Sequence, residues 1–342
     1  MGFFVPVLGL FETVFFGNGN ESSRRILVEN EMPIKIPDNL PAVEVLQNEN
    51  IFIMQDSSAK HQDIRPLSIL LLNLMPKKIE TEIHLLRLLS NTPLQVDVQL
   101  MRIHDKPSKS TPIEHMETFY KDFQDVKESK FDGMIITGAP LGLLEFTEVS
   151  FWEDMKEIMD WTVTNVTSVM YLCWAVHAAL YHLYGIPKFV RDKKISGVYS
   201  HYLNNPLSPI VRGFDDVFDS PHSRNGEVRS EDIRRCKELE IISESEIAGP
   251  NIVVKRDGRQ LFISGHSEYE PLCLKDEYER DLKAGINPAI PENYFPDDDP
   301  SRDPIVTWKC HGNLLFSNWL NYYVYQLTPY DMSEIDRVIK RK

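Results

Sequence analysis

The stretch Thr167–Gly185, TSVMYLCWAVHAALYHLYG, decides how this chain folds. Val169–Leu172 is a short apolar run that reads as a buried strand, and the alanines, leucines and histidines from Trp174 onward suit a helix. Gly185, just ahead of Pro187, supplies the helix stop. Cys173 falls at the changeover. A thiol at a sharp strand-to-helix turn has the geometry of an exposed nucleophile, and a helix N-terminus favours its charged form. Free cysteine is also among the most buried residue types, so a core role competes with catalysis at this point.

Outward from that stretch the chain alternates. Ser68–Leu74 (SILLLNL) is a continuous apolar run, and KKIETEIHLLRLLSN after it has helical spacing. Leu94–Met101 (LQVDVQLM) alternates as a strand, and PIEHMETFYKDFQDVKES reads as one helix. FDGMIITGAP is a buried strand ending in a Gly-Ala-Pro turn, and EVSFWEDMKEIMDWTVTN is an amphipathic helix. This alternation predicts an α/β fold, a mostly parallel sheet flanked by helices. Ligands in such sheets sit beyond the carboxyl ends of the strands, the edge to which the turns at Thr137–Leu143 and Cys173 both belong. Downstream the pattern loosens. RQLFIS (Arg259–Ser264) is a strand that breaks at Gly265, KDEYERDLKAGINP a charged helix, PENYFPDDDPSRDP a loop, and GNLLFSNWLNYYVYQLTPYD a final apolar helix. One α/β domain over residues 32–331, with an irregular C-terminal portion, is expected.

Composition narrows the function. The 342 residues are 42% hydrophobic and 26% charged, with 37 basic against 51 acidic side chains, a net charge of −14. A nucleic-acid role therefore has little electrostatic support. The four cysteines, Cys173, Cys236, Cys273 and Cys310, lack CxxC spacing, and no HExxH occurs, so no metal site is expected. Neither GxGxxG nor GxxxxGK[ST] is present, which leaves a nucleotide-phosphate loop unsupported. A reducing cytoplasm fits these cysteines. The opening MGFFVPVLGLFETVFFGNG lacks a basic leader, is interrupted by Glu12, and is too short and broken to span a membrane. Met32 opens MPIKIPDNLPAVEVL like a natural start. Residues 1–31 are accordingly expected to be an extension, disordered or a start-site artefact, and residues 332–342 a charged tail.

A nucleophile needs a base. His266 in ISGHSEYE follows a strand and a glycine, at the same sheet edge as Cys173. On an extended segment i and i+2 point the same way, so Glu268 can hold the imidazole. The result is a nucleophile, a base and an orienter. A solvated turn is the competing reading of HSE. His177 and His182 lie along the helix after Cys173, and His222 in SPHSR reads as a substrate contact in a polar turn. The turn in ITGAPLGLLEF has backbone N–H groups to offer an acyl oxygen, or is only a strand-to-helix connection.

Taken in order, MPIKIPDNLPAVEVL, LNLMPKKIETE, ITGAPLGLLEF, LCWAVHAALYHLYGIPK, ISGVY, SPHSR, GHSEYE, NYFPDDDP and HGNLLFSNWLNYYVYQLTPYD run from Met32 to Asp331. The chain resembles over this span the homoserine O-acyltransferases that start methionine synthesis, most closely those that transfer succinyl. The resemblance implies a class-I glutamine-amidotransferase-like (flavodoxin-like) fold, with Cys173 as acyl-enzyme nucleophile and His266 and Glu268 as its partners. It implies backbone N–H groups at Trp174 and Leu141 for the oxyanion, and Lys194, Ser223 and Arg280 as substrate contacts. Lys77 and Lys78 are where it would put the anionic CoA or succinyl group. Acetyl-transferring members carry glutamate where this chain has Gly142; glycine leaves room and no charge, which favours succinyl-CoA as co-substrate with L-homoserine as acceptor. No cofactor, nucleic acid or membrane is implied, and a homodimer is. Ser267 replaces the usual proline between the histidine and glutamate, and His177 stands where glutamine is common. Acetyl transfer, amidotransferase or peptidase-like hydrolysis, and a non-catalytic scaffold are the alternatives.

Overall fold

The computed structural model describes residues 34–37, 39–49, 53–55, 65–103 and 110–329. The expectations for residues 1–31 and 332–342 lie outside the described residues.

The elements in chain order are β1 (Ile34–Ile36), α1 (Ala42–Asn48), β2 (Ile53–Gln55), β3 (Leu67–Leu72), α2 (Lys78–Leu89), β4 (Val96–Arg102), α3 (Ile113–Phe119) and β5 (Tyr120–Asp122). They continue with α4 (Phe123–Val126), β6 (Phe131–Ile136), α5 (Trp152–Asn165), β7 (Val166–Leu172), α6 (Trp174–Tyr184), β8 (Phe189–Leu203) and β9 (Val217–Glu227). Last come α7 (Ser230–Arg235), β10 (Leu239–Ser245), β11 (Gly249–Lys255), β12 (Gln260–Ile263), α8 (Cys273–Lys283) and α9 (Lys309–Asn318). The strands form one sheet in the order β2-β1-β4-β3-β6-β7-β12-β11-β10-β8-β9, with β5 on β4. Pairing is parallel from β2 through β12 and antiparallel from β12 to β9.

Every residue of β6 and β7 is buried, as expected of parallel strands covered on both faces. Alternate residues feed two cores. Ile69, Leu71, Ile135, Met170 and Leu172 pack with α1, α2 and α9 on one face. Leu70, Leu72, Met134, Ile136 and Tyr171 pack with α4, α5 and α6 on the other. Each fully buried Leu or Ile contributes about 1.5–3 kcal/mol, so a one-residue register slip would misplace both sets. Gly185 ends α6 with φ 66°, and its N–H returns to Tyr181 O at 3.0 Å, a left-handed cap that glycine adopts without a side-chain clash.

Three expectations needed correction. PIEHMETFYKDFQDVKES is not one helix: it breaks into α3, β5 and α4. The break follows from Tyr120, whose hydroxyl is drawn to the buried carboxylate of Glu82 while its backbone pairs with β4, and from Asp122, which holds Arg102 at 2.7 Å. The second half is also more regular than its sequence implied. Residues 189–263 extend the sheet mainly with antiparallel strands, and the irregular character is kept by the connection from β8 to β9 and by the segments on either side of α8. The final helix changes at Trp319 into a π-helical stretch, Trp319–Tyr325, with the Trp319 indole donating to Ser168 Oγ at 3.1 Å.

Candidate active site

Cys173 stands between β7 and α6 with φ 48° and ψ −109°. An L-residue held there carries about 1–3 kcal/mol of backbone strain. Its N–H donates to Ile263 O at 2.9 Å and its carbonyl accepts from Val176 at 3.0 Å, so the neighbouring strand and the helix together impose the conformation. The thiol lies at the N-terminus of α6, where the first N–H groups, Trp174 among them, have no intrahelical acceptor.

Parallel pairing sets Ile263 beside Leu172, so β7 and β12 end together and the turn after β12 delivers His266 to the cysteine. His266 is 3% exposed and its Nδ1 lies 2.7 Å from Glu268 Oε1. The other imidazole nitrogen is left for the Cys173 side chain, which lies close enough to act on the ring's protonation. Burial by itself pushes His266 toward the neutral form. The adjacent Cys173 and Glu268 outweigh it and hold the imidazole pKa well above the ordinary histidine value. The Tyr269 ring stacks on the imidazole, centroids 4.1 Å apart, and Tyr269 O accepts from the Trp308 indole at 2.8 Å. The irregular C-terminal segment thus braces the triad.

A second cluster forms where α8 faces β8 and β9. Between Val190 and Ile195 strand β8 bulges against two steps of β9, and the bulge turns Lys194 toward α8. Lys194 Nζ lies 3.3 Å from Glu277 Oε2 and 3.5 Å from Asp281 Oδ2. The Ser223 hydroxyl donates to Glu277 Oε2, the Tyr269 hydroxyl donates to Glu277 Oε1 at 2.9 Å, and Arg280 grips Asp281 at 2.7 Å. Lys194, Ser223 and Arg280 therefore converge on two carboxylates, Glu277 and Asp281, with Tyr269 linking this cluster to the triad.

A model of the homoserine O-succinyltransferase family matches residues 33–330. The chain belongs to the homoserine O-succinyltransferase family. It is 57% identical over 307 residues to the homoserine O-succinyltransferase of Shewanella loihica, covering 90% of this chain and 96% of that one. The homoserine O-succinyltransferase of Shewanella piezotolerans is 57% identical over 304 residues, 89% of this chain and 96% of the relative. A glutamine amidotransferase of Thermotoga maritima superposes with a TM-score of 0.50 at 11% identity, over 75% of this chain and 98% of that one. The chain thus has the class-I glutamine-amidotransferase-like α/β fold.

Several family positions sit differently from their expected roles. The Leu141 N–H is committed to Ala139 O at 2.8 Å, so the turn cannot present it to an oxyanion without breaking that bond. Gly138 lies beside the cysteine: a Cβ there would stand 3.1 Å from Cys173 Cβ and 3.6 Å from Trp174 N. Lys77 is exposed and paired with Glu80 at 3.0 Å. Lys78 turns inward onto the carbonyls of Asn73 and Met75 and over the Tyr120 ring, and burial pushes its pKa down to about 8. Neither makes an ion pair or hydrogen bond to the triad among the described residues. His222 lies in strand β9, fully buried against His201 at 3.1 Å, so it is not the substrate contact in a polar turn. His182 pairs with Asp160 at 2.8 Å.

Sequence reading missed Glu277, Asp281 and Tyr269. The i, i+4 spacing of Glu277 and Asp281 on one helical face, and Tyr269 one step beyond Glu268, were the available signals. Among the described residues no group of His, Cys, Asp and Glu could hold a metal ion, and no helix is long and apolar enough to cross a membrane.

Proposed function

We propose that this chain transfers the succinyl group of succinyl-CoA to the hydroxyl of L-homoserine through a thioester on Cys173. The observation that carries the reading is the strained strand-to-helix cysteine beside a buried His266–Glu268 pair. In the first half-reaction His266 holds the thiol proton, and the Cys173 sulfur attacks the thioester carbonyl. The Trp174 N–H at the head of α6 and the Gly138 side of the turn meet the developing oxyanion. The tetrahedral species then collapses, the C–S bond to CoA breaks, and His266 returns the proton to the leaving thiolate. In the second half-reaction His266 takes the proton of the homoserine hydroxyl, whose oxygen attacks the Cys173 thioester and expels the cysteine sulfur. Splitting the transfer in this way predicts ping-pong kinetics.

The α8 cluster suits the amino-acid end of homoserine. Glu277 and Asp281 offer the ammonium group carboxylates, and Lys194 and Arg280 offer cations for the carboxylate. The enzyme so read needs no resident cofactor beyond its two substrates, works in a reducing cytoplasm and forms a homodimer. Gly142 favours the succinyl donor, since a carboxylate at that turn would repel the second carboxylate of a succinyl group.

Purified protein incubated with homoserine and either succinyl-CoA or acetyl-CoA, with products identified by mass, tests the reading. O-Succinylhomoserine is expected, formed faster than the acetyl ester. Faster acetyl transfer would replace the donor, and ammonia release from glutamine without any CoA thioester would replace the reaction class.

A further inference from the structure

One aromatic side chain touches both halves of the site. Tyr269 closes the turn that bears His266, its N–H donating to His266 O at 3.0 Å, so its ring falls back over the imidazole with the two planes 20° apart. The rest of the side chain is fixed. Tyr269 is 8% exposed and packs among Leu274, Tyr294, Phe295 and Trp308. Its far end leaves the triad altogether: the hydroxyl donates to Glu277 Oε1, while Ser223 and Lys194 reach Oε2 of the same carboxylate.

Each end has its own physical consequence. A cation over an aromatic face is attracted by the ring's quadrupole, so the Tyr269 ring favours the imidazolium that His266 becomes whenever it holds a proton. The stack also limits rotation of the imidazole, and a small misplacement of a reacting group costs heavily in rate. The hydroxyl works differently. Burial, with Glu277 and Glu268 beside it, holds its pKa well above the ordinary tyrosine value, so it remains a donor and carries no proton between the two clusters. Instead it fixes the plane of the Glu277 carboxylate, anchored from β8 and β9 at one oxygen and from the His266 turn at the other. With ring centroids 4.1 Å apart and a hydrogen bond of 2.9 Å, the imidazole centre and Glu277 Oε1 are at most about 10 Å apart. An extended homoserine puts its hydroxyl about 5 Å from its ammonium nitrogen, and one hydrogen bond at each end lets it bridge that span.

We propose that Tyr269 is a positioning residue with two separable duties: its ring holds His266 for both half-reactions, and its hydroxyl holds Glu277 for the ammonium group of homoserine in the second alone. This rests on the acyl-enzyme reading and on the placement of homoserine at the α8 cluster. The consequence is a division that no triad residue can show. Losing His266 or Glu268 slows acylation and deacylation alike, whereas losing only the Tyr269 hydroxyl leaves CoA release intact and slows transfer to homoserine.

Two rates in the full chain separate the duties: CoA released on mixing with succinyl-CoA alone, and loss of the acyl-enzyme, followed by intact mass, once homoserine is added. Tyr269→Phe keeps the ring and deletes the hydroxyl. It is expected to release CoA within about 3-fold of wild type and to lose its acyl group to sub-saturating homoserine about 10- to 100-fold more slowly. Tyr269→Leu and Tyr269→Met remove the ring, and each is expected to slow CoA release about 3- to 30-fold, with thermal melting to confirm folding. Equal slowing of both steps in Tyr269→Phe, or no slowing of either, would overturn the hydroxyl's duty. Folded variants without the ring that release CoA as fast as Tyr269→Phe would overturn the ring's. Wild type that releases no CoA until homoserine is present would refute the acyl-enzyme reading, and Glu277→Gln with an unchanged KM for homoserine would refute the acceptor placement. Neither of those outcomes depends on the Tyr269 variants.

Discussion

Replacing Glu268 by Gln removes one charge from the site while leaving an acceptor beside His266 Nδ1. The two side chains are 8% and 4% exposed and 2.7 Å apart, so the pair is sheltered from solvent screening. Hydrogen bonds to charged groups contribute about 1.5–3 kcal/mol, and unit charges 4 Å apart at an effective dielectric of 20 interact by about 4 kcal/mol. The loss of imidazolium stabilisation is thus bracketed at about 2–4 kcal/mol, or about 30- to 1,000-fold in kcat/KM for succinyl-CoA. The pH profile carries a second signature. Burial pushes the His266 pKa down, and Cys173 and Glu268 raise it well above its ordinary value. Deleting the Glu268 charge lowers the folded-state pKa, so the alkaline limb on which His266 loses its proton moves to lower pH. Initial rates across pH, with thermal melting to confirm folding, measure both effects. A variant within about 3-fold of wild type, with its alkaline limb unmoved, would refute the orienting role of Glu268.

Two further predictions concern specificity. Gly142→Glu fits sterically, because its Cβ would meet Asn225 Cβ at 3.6 Å and Gly226 N at 3.4 Å, ordinary contacts. Its carboxylate would repel a succinyl carboxylate, so kcat/KM for succinyl-CoA should fall about 100-fold and acetyl-CoA become the better donor; competition between the two thioesters reads the ratio. Glu277→Gln weakens the point where Ser223, Tyr269 and Lys194 meet. KM for homoserine should rise about 10-fold or more, with a smaller effect on CoA release before homoserine is added, as stopped-flow thiol detection would show.

Much of the fold was legible because its signals are local. Apolar runs at β3, β6 and β7 and helical spacing at α2, α5 and α6 each encode burial on one or two faces. The strand-to-helix turn at Cys173 and the i, i+2 pair His266–Glu268 were readable for the same reason, and the competing core reading of the cysteine yielded to that pair together with the chain-long resemblance. What escaped depends on partners distant in sequence. Tyr120 leaves its helix for Glu82, 38 residues away, and Glu277 matters because β8 bulges to bring Lys194 to it from 83 residues away. Strand β8 is hidden in sequence by the charged run RDKK, whose irregular pairing destroys the period-two pattern. The Leu141 N–H illustrates the same limit: sequence locates a turn, and only coordinates show which of its donors are already engaged.

Transfer through Cys173 requires a covalent succinyl group on its sulfur. Intact-mass analysis of the protein mixed with succinyl-CoA alone, followed by peptide mapping, measures it directly. The predicted result is one added succinyl group per chain, located on Cys173, released by homoserine and absent from Cys173→Ala. An adduct that persists in Cys173→Ala, or none at all until homoserine is present, would contradict it.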